Sequence, residues 1–185
     1  MESASNLVLV GPMGAGKTSI GRRLGERFGL AFVDADREIE ARTGAAVATI
    51  FECEGETGFR ERERAVLVEL LAADGIVVAT GGGAVLDAGT RRLLRERGFV
   101  VHLDVSVDQQ LKRLARDRSR PLLAGDDREA VLQRLAEARG PLYADVAELR
   151  FETGTLGAAD AADRLAVLLE ARWLPARDRS GSRVP

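Results

Sequence analysis

Short apolar runs rich in Val, Ile and Leu alternate along the chain with longer stretches whose apolar positions recur at helical spacing. That alternation predicts a parallel α/β sheet covered by helices. The expected strands are 7–10, 31–34, 76–80, 99–104 and 149–152. A helix is expected over 17–28. Another begins at Ser106 and carries Leu111 and Leu114, with Gln109 placed for a capping box. A last one over 157–173 sets Leu165, Leu168 and Leu169 at helical spacing.

Two connections are longer than a sheet crossover needs. The first, between the second and third strands, holds helical patterns around 37–42 and 60–71 and reads as a helical substrate-binding insertion over roughly 35–75. The second, 116–127, is an Arg- and Gly-containing link between helices and reads as a mobile lid. Residues 1–174 are expected to form one domain, and the polar, aperiodic 175–185 to be a disordered tail.

Chemistry concentrates where strands end. Gly11-Pro12-Met13-Gly14-Ala15-Gly16-Lys17-Thr18 follows an apolar strand and opens a helix, the setting in which the P-loop pattern carries meaning. Glycines there let backbone N–H groups turn toward phosphate oxygens, and the helix N-terminus adds its positive end. Gly14, Ala15, Gly16, Lys17, Thr18 and Ser19 are therefore the nucleotide-binding candidates, with Lys17 reaching the β- and γ-phosphates and Thr18 a Mg²⁺ ligand. The second strand ends Val33-Asp34-Ala35-Asp36. Residues two apart in an extended strand share a face, so both carboxylates would point at the phosphates, one toward Mg²⁺ and one as a base. The plainer alternative makes Asp36 a helix N-cap. Three glycines, Gly81-Gly82-Gly83, follow the third strand at the same sheet edge and suggest close backbone approach to a ligand.

Composition narrows the partners. The 185 residues are 45% hydrophobic and 30% charged, with a formal net charge of -2, which gives no electrostatic case for nucleic acid. No run is apolar enough to cross a bilayer, the start lacks the marks of a signal peptide, and the lone Cys53 fits a reducing compartment. A monomer in the cytoplasm is expected. Cys53 is expected to be a small buried or half-buried residue, and His102, within the fourth strand, a structural one.

Taken together and in order, these motifs resemble those of shikimate kinase. So do Arg60-Glu61-Arg62-Glu63 leading to Leu67, Gly81-Gly82-Gly83-Ala84-Val85, Arg120-Pro121-Leu122-Leu123-Ala124-Gly125 and Arg139-Gly140-Pro141-Leu142-Tyr143. The resemblance implies a P-loop kinase fold of the nucleoside monophosphate kinase type: a five-stranded parallel sheet with helical insertion and lid. It implies that ATP and Mg²⁺ phosphorylate the 3-hydroxyl of shikimate. Asp36 would contact ring hydroxyls and act as base, Arg60 and Arg139 would grip the carboxylate, and Gly82 would supply a backbone contact. Asp34 and Thr18 would hold Mg²⁺, while Lys17 and Arg120 stabilise the transferred phosphoryl group. Arg113 falls where the family places a side chain against adenine, although a solvated helix arginine is an equal reading. After the last strand, Thr153-Gly154-Thr155 offers little for adenine to stack on. Arg62 and Arg64 read as surface. A gluconate-type or nucleoside monophosphate kinase shares the cradle, and a catalytically dead nucleotide-binding regulator would have lost Lys17, Asp36 or a substrate arginine; all are present.

Lys17→Met is expected to keep the fold and lower turnover by at least about 10²-fold, as for the loss of one preorganised donor. The check is the steady-state rate of purified mutant; near-normal turnover would contradict the P-loop reading.

Overall fold

The structure, a computed structural model, describes residues 5–115 and 127–173. Five parallel strands form the sheet: β1 (Asn6–Val10), β2 (Ala31–Asp34), β3 (Ile76–Ala79), β4 (Gly98–Asp104) and β5 (Leu149–Glu152), in the order β2-β3-β1-β4-β5. The central strand β1 is buried on both faces, which is why its sequence is apolar throughout rather than alternating. Leu7 and Leu9 point into one core, formed with α1 (Lys17–Phe28) and α7 (Ala158–Arg172) and closed by Trp173. Val8 and Val10 point into the other, with Val78, Val100, Leu67 and Tyr143. β3 and β4 pair on either side of β1: Leu7 lies opposite both Val77 and Phe99, and Val10 opposite His102. All carboxyl ends therefore meet on one edge.

Strand boundaries fall within one residue of expectation. Thr80 still hydrogen-bonds Leu9 O through its amide at 3.1 Å, so the ladder reaches it although the strand ends at Ala79. Ser106 caps α5 (Val107–Leu114) by accepting from the Gln109 amide at 3.3 Å.

Between β2 and β3 stand α2 (Ala35–Thr43) and α3 (Val47–Leu70), the latter interrupted at Gly55. They share a small core of Ile39, Ile50, Phe59 and Val66. Both helices run longer than the sequence pattern indicated, because acidic and glycine-rich stretches without apolar periodicity belong to α3 as well. Cys53 is a correction: it lies exposed on α3, between the exposed Glu52 and Glu54, on a stretch of the helix that faces solvent.

A 3₁₀ turn (Ala84–Leu86) and α4 (Ala88–Arg97) follow β3, and α6 (Arg128–Val146) precedes β5. Asp127 caps α6 by accepting from the Ala130 amide. The expected lid, apart from Asp127, and the expected tail lie outside the described residues. Among the described residues no helix is long and apolar enough to cross a membrane.

Candidate active site

The phosphate cradle is shaped by its own backbone. Gly14 and Gly16 adopt φ of 78° and 90°, a region that side chains rarely enter, and Ala15 N donates to Pro12 O at 3.2 Å. Lys17 Nζ folds back and donates to Gly11 O at 2.7 Å and Pro12 O at 2.9 Å. Ser19 continues the first turn of α1. Helix α5 braces the loop from the side: Gln110 Nε2 donates to Met13 O at 2.8 Å. Arg113 donates to Gly14 O at 2.8 Å, to Thr153 Oγ1 at 3.1 Å and to Gly154 O at 2.7 Å. Its guanidinium thus ties the P-loop to the turn after β5, from an exposed position on α5.

The carboxylate pair is brought together differently from the sequence expectation. The strand stops at Asp34, and Asp36 is the second residue of α2, so the two do not alternate along one strand. The cap is Asp34 itself: its Oδ1 accepts from the amides of Asp36 at 3.2 Å and Arg37 at 3.3 Å, turning the chain into the helix. Its Oδ2 accepts from the Thr18 hydroxyl at 2.6 Å. The N-cap alternative weighed for Asp36 therefore belongs to Asp34. A carboxylate beside a hydroxyl is a hard-oxygen pair suited to Mg²⁺. Among the described residues no three His, Cys, Asp or Glu cluster as a metal site, so these two donors would need phosphate oxygens and water to complete a shell.

The acceptor side is built around Gly81-Gly82-Gly83, none of which has a positive φ. They are glycines because charged side chains press against their backbone. A Cβ on Gly81 would lie 2.5 Å from Glu63 Oε1 and 2.8 Å from Asp36 Oδ1. One on Gly83 would lie 1.9 Å from Arg60 Nη2. At Gly82 it would stand 3.6 Å from Arg139 Nη1 and 3.6 Å from Gly11 O, so this residue is where the acceptor side meets the P-loop. Arg60, Arg139, Asp36 and Gly82 are thus brought to one place. Arg120 lies outside the described residues.

Glu63 joins this group without a role having been read from the sequence. It is 2% exposed and accepts from Arg60 Nη1 at 2.6 Å, an i,i+3 pair on α3 that could have flagged it. Burial pushes its carboxyl up; Arg60 and Arg139 pull it back, and Asp36 adds to the rise. Arg60 also sits 5.2 Å from the Phe59 ring centroid and 6.0 Å from that of Phe51. Its Nε and Glu63 Oε1 are buried and lack hydrogen-bond partners among the described residues. Each such orphan costs about 1–3 kcal/mol, which a ligand bearing hydroxyl and carboxylate groups would relieve. Arg62 and Arg64 are surface residues as expected, Arg62 paired with Glu54. His102 is buried and stacks on Tyr143, whose phenol donates to Gly82 O at 2.5 Å.

Gly83→Ala is expected to displace Arg60 while leaving the cradle intact. KM for shikimate should rise about 10-fold or more, the cost of one charged hydrogen bond, and KM for ATP should stay put. Steady-state kinetics in each substrate checks this; equal effects on both would contradict it.

Comparison with known proteins agrees with this geometry. Residues 13–170 match the family model described as shikimate kinase. The shikimate kinase of Stenotrophomonas maltophilia strain K279a is 56% identical over 173 residues, 94% of this chain and 96% of that one. A shikimate kinase from Acinetobacter baumannii, solved in complex with shikimate, is 48% identical with a TM-score of 0.88, covering 92% of this chain and 95% of its own. The shikimate kinase of Bacteroides thetaiotaomicron is 33% identical with a TM-score of 0.81, covering 89% and 98%. The chain belongs to the shikimate kinase family, whose reaction is transfer of the γ-phosphate of ATP to the 3-hydroxyl of shikimate.

Proposed function

We propose a division of that reaction among the residues of this chain. The observation that carries it is the meeting of two guanidiniums and two carboxylates, Arg60, Arg139, Asp36 and Glu63, on a side-chain-free loop beside the P-loop. Arginine forks suit a carboxylate, so Arg60 and Arg139 hold that of shikimate. The Gly82 backbone and Asp36 hold the ring on the side facing the cradle.

ATP binds with its phosphates against the amides of Gly14, Ala15, Gly16, Lys17, Thr18 and Ser19. Lys17 exchanges its two P-loop carbonyls for phosphate oxygens. Asp36 takes the proton of the 3-hydroxyl, whose oxygen forms a bond to the γ-phosphorus as the bond to the bridging oxygen of ADP breaks. Mg²⁺, held by Thr18 and through water by Asp34, would neutralise charge on the phosphates. Lys17 and Arg120 stabilise the charge that builds on the transferred group. Arg113 acts by bracing the P-loop against the turn after β5. The chain works as a monomer in the cytoplasm, the compartment being that of the bacterial members of the family.

The test is ADP release with Mg²⁺ and a panel of acceptors. Release that depends on shikimate supports the reading; release only with gluconate or a nucleoside monophosphate overturns it. Asp36→Asn is expected to lower kcat by roughly 10²- to 10⁴-fold with ATP affinity nearly unchanged. Measured on one preparation, a collapse of ATP binding with intact turnover per bound nucleotide would instead put Asp36 in the nucleotide or metal site.

A further inference from the structure

An arginine that reads a carboxylate must be held, because its long side chain otherwise spends its time in many rotamers. Arg60 is held by Glu63. Arg139, one turn before Tyr143 on α6, brings its guanidinium to the Tyr143 phenol and to Gly82, and the phenol donates to Gly82 O at 2.5 Å. The Tyr143 ring stacks on His102, with centroids 5.0 Å apart. His102 lies opposite Val10, the last residue before the P-loop. Gly82, at the other end of the phenol, already approaches Gly11.

We propose that Tyr143 is a positioning residue whose hydroxyl sets Arg139, and through it the acceptor carboxylate, at a fixed distance from the nucleotide cradle. The proposal rests on the reading of Arg139 as a carboxylate ligand. Packing alone does not require the hydroxyl: Tyr143 is 2% exposed among apolar neighbours, and a phenylalanine would fill the same space without burying a polar group. The hydroxyl donates to the glycine loop and stands beside the Arg139 guanidinium, so it has a polar neighbour on each side. Losing it frees the Arg139 fork to swing and leaves the Gly82 carbonyl without this donor. The consequence falls on shikimate and not on ATP, because none of the groups involved faces the phosphates through its side chain.

The experiment uses Tyr143→Phe, Arg139→Lys and the unaltered protein, each titrated with shikimate and with ADP. Tyr143→Phe is expected to weaken shikimate binding about 5- to 50-fold, in line with a hydrogen bond to a charged group, and to leave ADP binding within about twofold. Arg139→Lys should weaken shikimate at least as much. If Arg139→Lys binds shikimate normally, the carboxylate reading falls and the proposal with it. If Arg139→Lys is weakened but Tyr143→Phe is not, the proposal alone falls. Equal loss of shikimate and ADP binding in Tyr143→Phe would make Tyr143 a packing residue and overturn the proposal. Tyr143 is also the only tyrosine of the chain, so ring-labelled protein gives one tyrosine spin system by NMR. That signal should shift on adding shikimate and move little with ADP; a signal indifferent to shikimate would contradict the proposal.

Discussion

The site depends on the close approach of charged side chains to the backbone of Gly81, Gly82 and Gly83. With no Cβ at these positions, Glu63, Asp36, Arg60 and Arg139 can converge where β3 ends, and a side chain at Gly81 or Gly83 would press on Glu63 and Asp36 or on Arg60. The glycines do not serve a left-handed turn, since none has a positive φ. They make room. Folding thereby commits two cations and two anions to a poorly solvated place, where removing any one partner leaves an uncompensated charge costing several kcal/mol. That expense explains why Glu63, which need not touch substrate, is buried among the others: it balances Arg60 and fixes its fork.

The same loop links the two halves of the reaction. Gly82 lies against Gly11 and Arg139, and its carbonyl accepts from Tyr143, so the charged cluster is tied to the P-loop rather than merely adjacent to it. On the nucleotide side, Asp34 plays three parts with one carboxylate. It ends β2, caps α2, and binds the Thr18 hydroxyl. The helical insertion that carries Arg60 and Glu63 is thus anchored, at its first residue, to the helix that follows the P-loop. Arg113 and Gln110 complete the frame by tying α5 to the P-loop carbonyls.

Much of this was legible in the sequence because the relevant signals are local. The P-loop needs one strand, one glycine-rich turn and one helix start, all contiguous, and the strands of a parallel sheet announce themselves as apolar runs. What was not legible depends on partners distant in sequence. Strand alternation put Asp34 and Asp36 on one face, but the Asp34 side chain captures the next amides and starts a helix, so Asp36 reaches the site from a helical turn. The tie that Arg113 makes to Gly14, Thr153 and Gly154 could not be read from the sequence, because those partners come from two other loops. Glu63 had a local signal in its i,i+3 spacing from Arg60, but that spacing suits a surface ion pair equally well, and the burial that sets Glu63 apart depends on distant partners. The exposure of Cys53 was not legible because residue type suggests burial, while the neighbouring glutamates mark a solvent-facing stretch of α3.

The central claim is that this charged cluster is built to read a carboxylate across the ring from the reacting hydroxyl. Its most direct measure is kcat/KM for shikimate against an analogue carrying an uncharged hydroxymethyl in place of the carboxylate, for the unaltered protein and for Arg60→Lys. A lysine keeps the charge and loses the planar fork. The unaltered protein should prefer shikimate by at least about 100-fold, and Arg60→Lys should give up about 10-fold or more of that preference, each charged hydrogen bond contributing roughly 1.5–3 kcal/mol. An undiminished preference in Arg60→Lys would contradict the account.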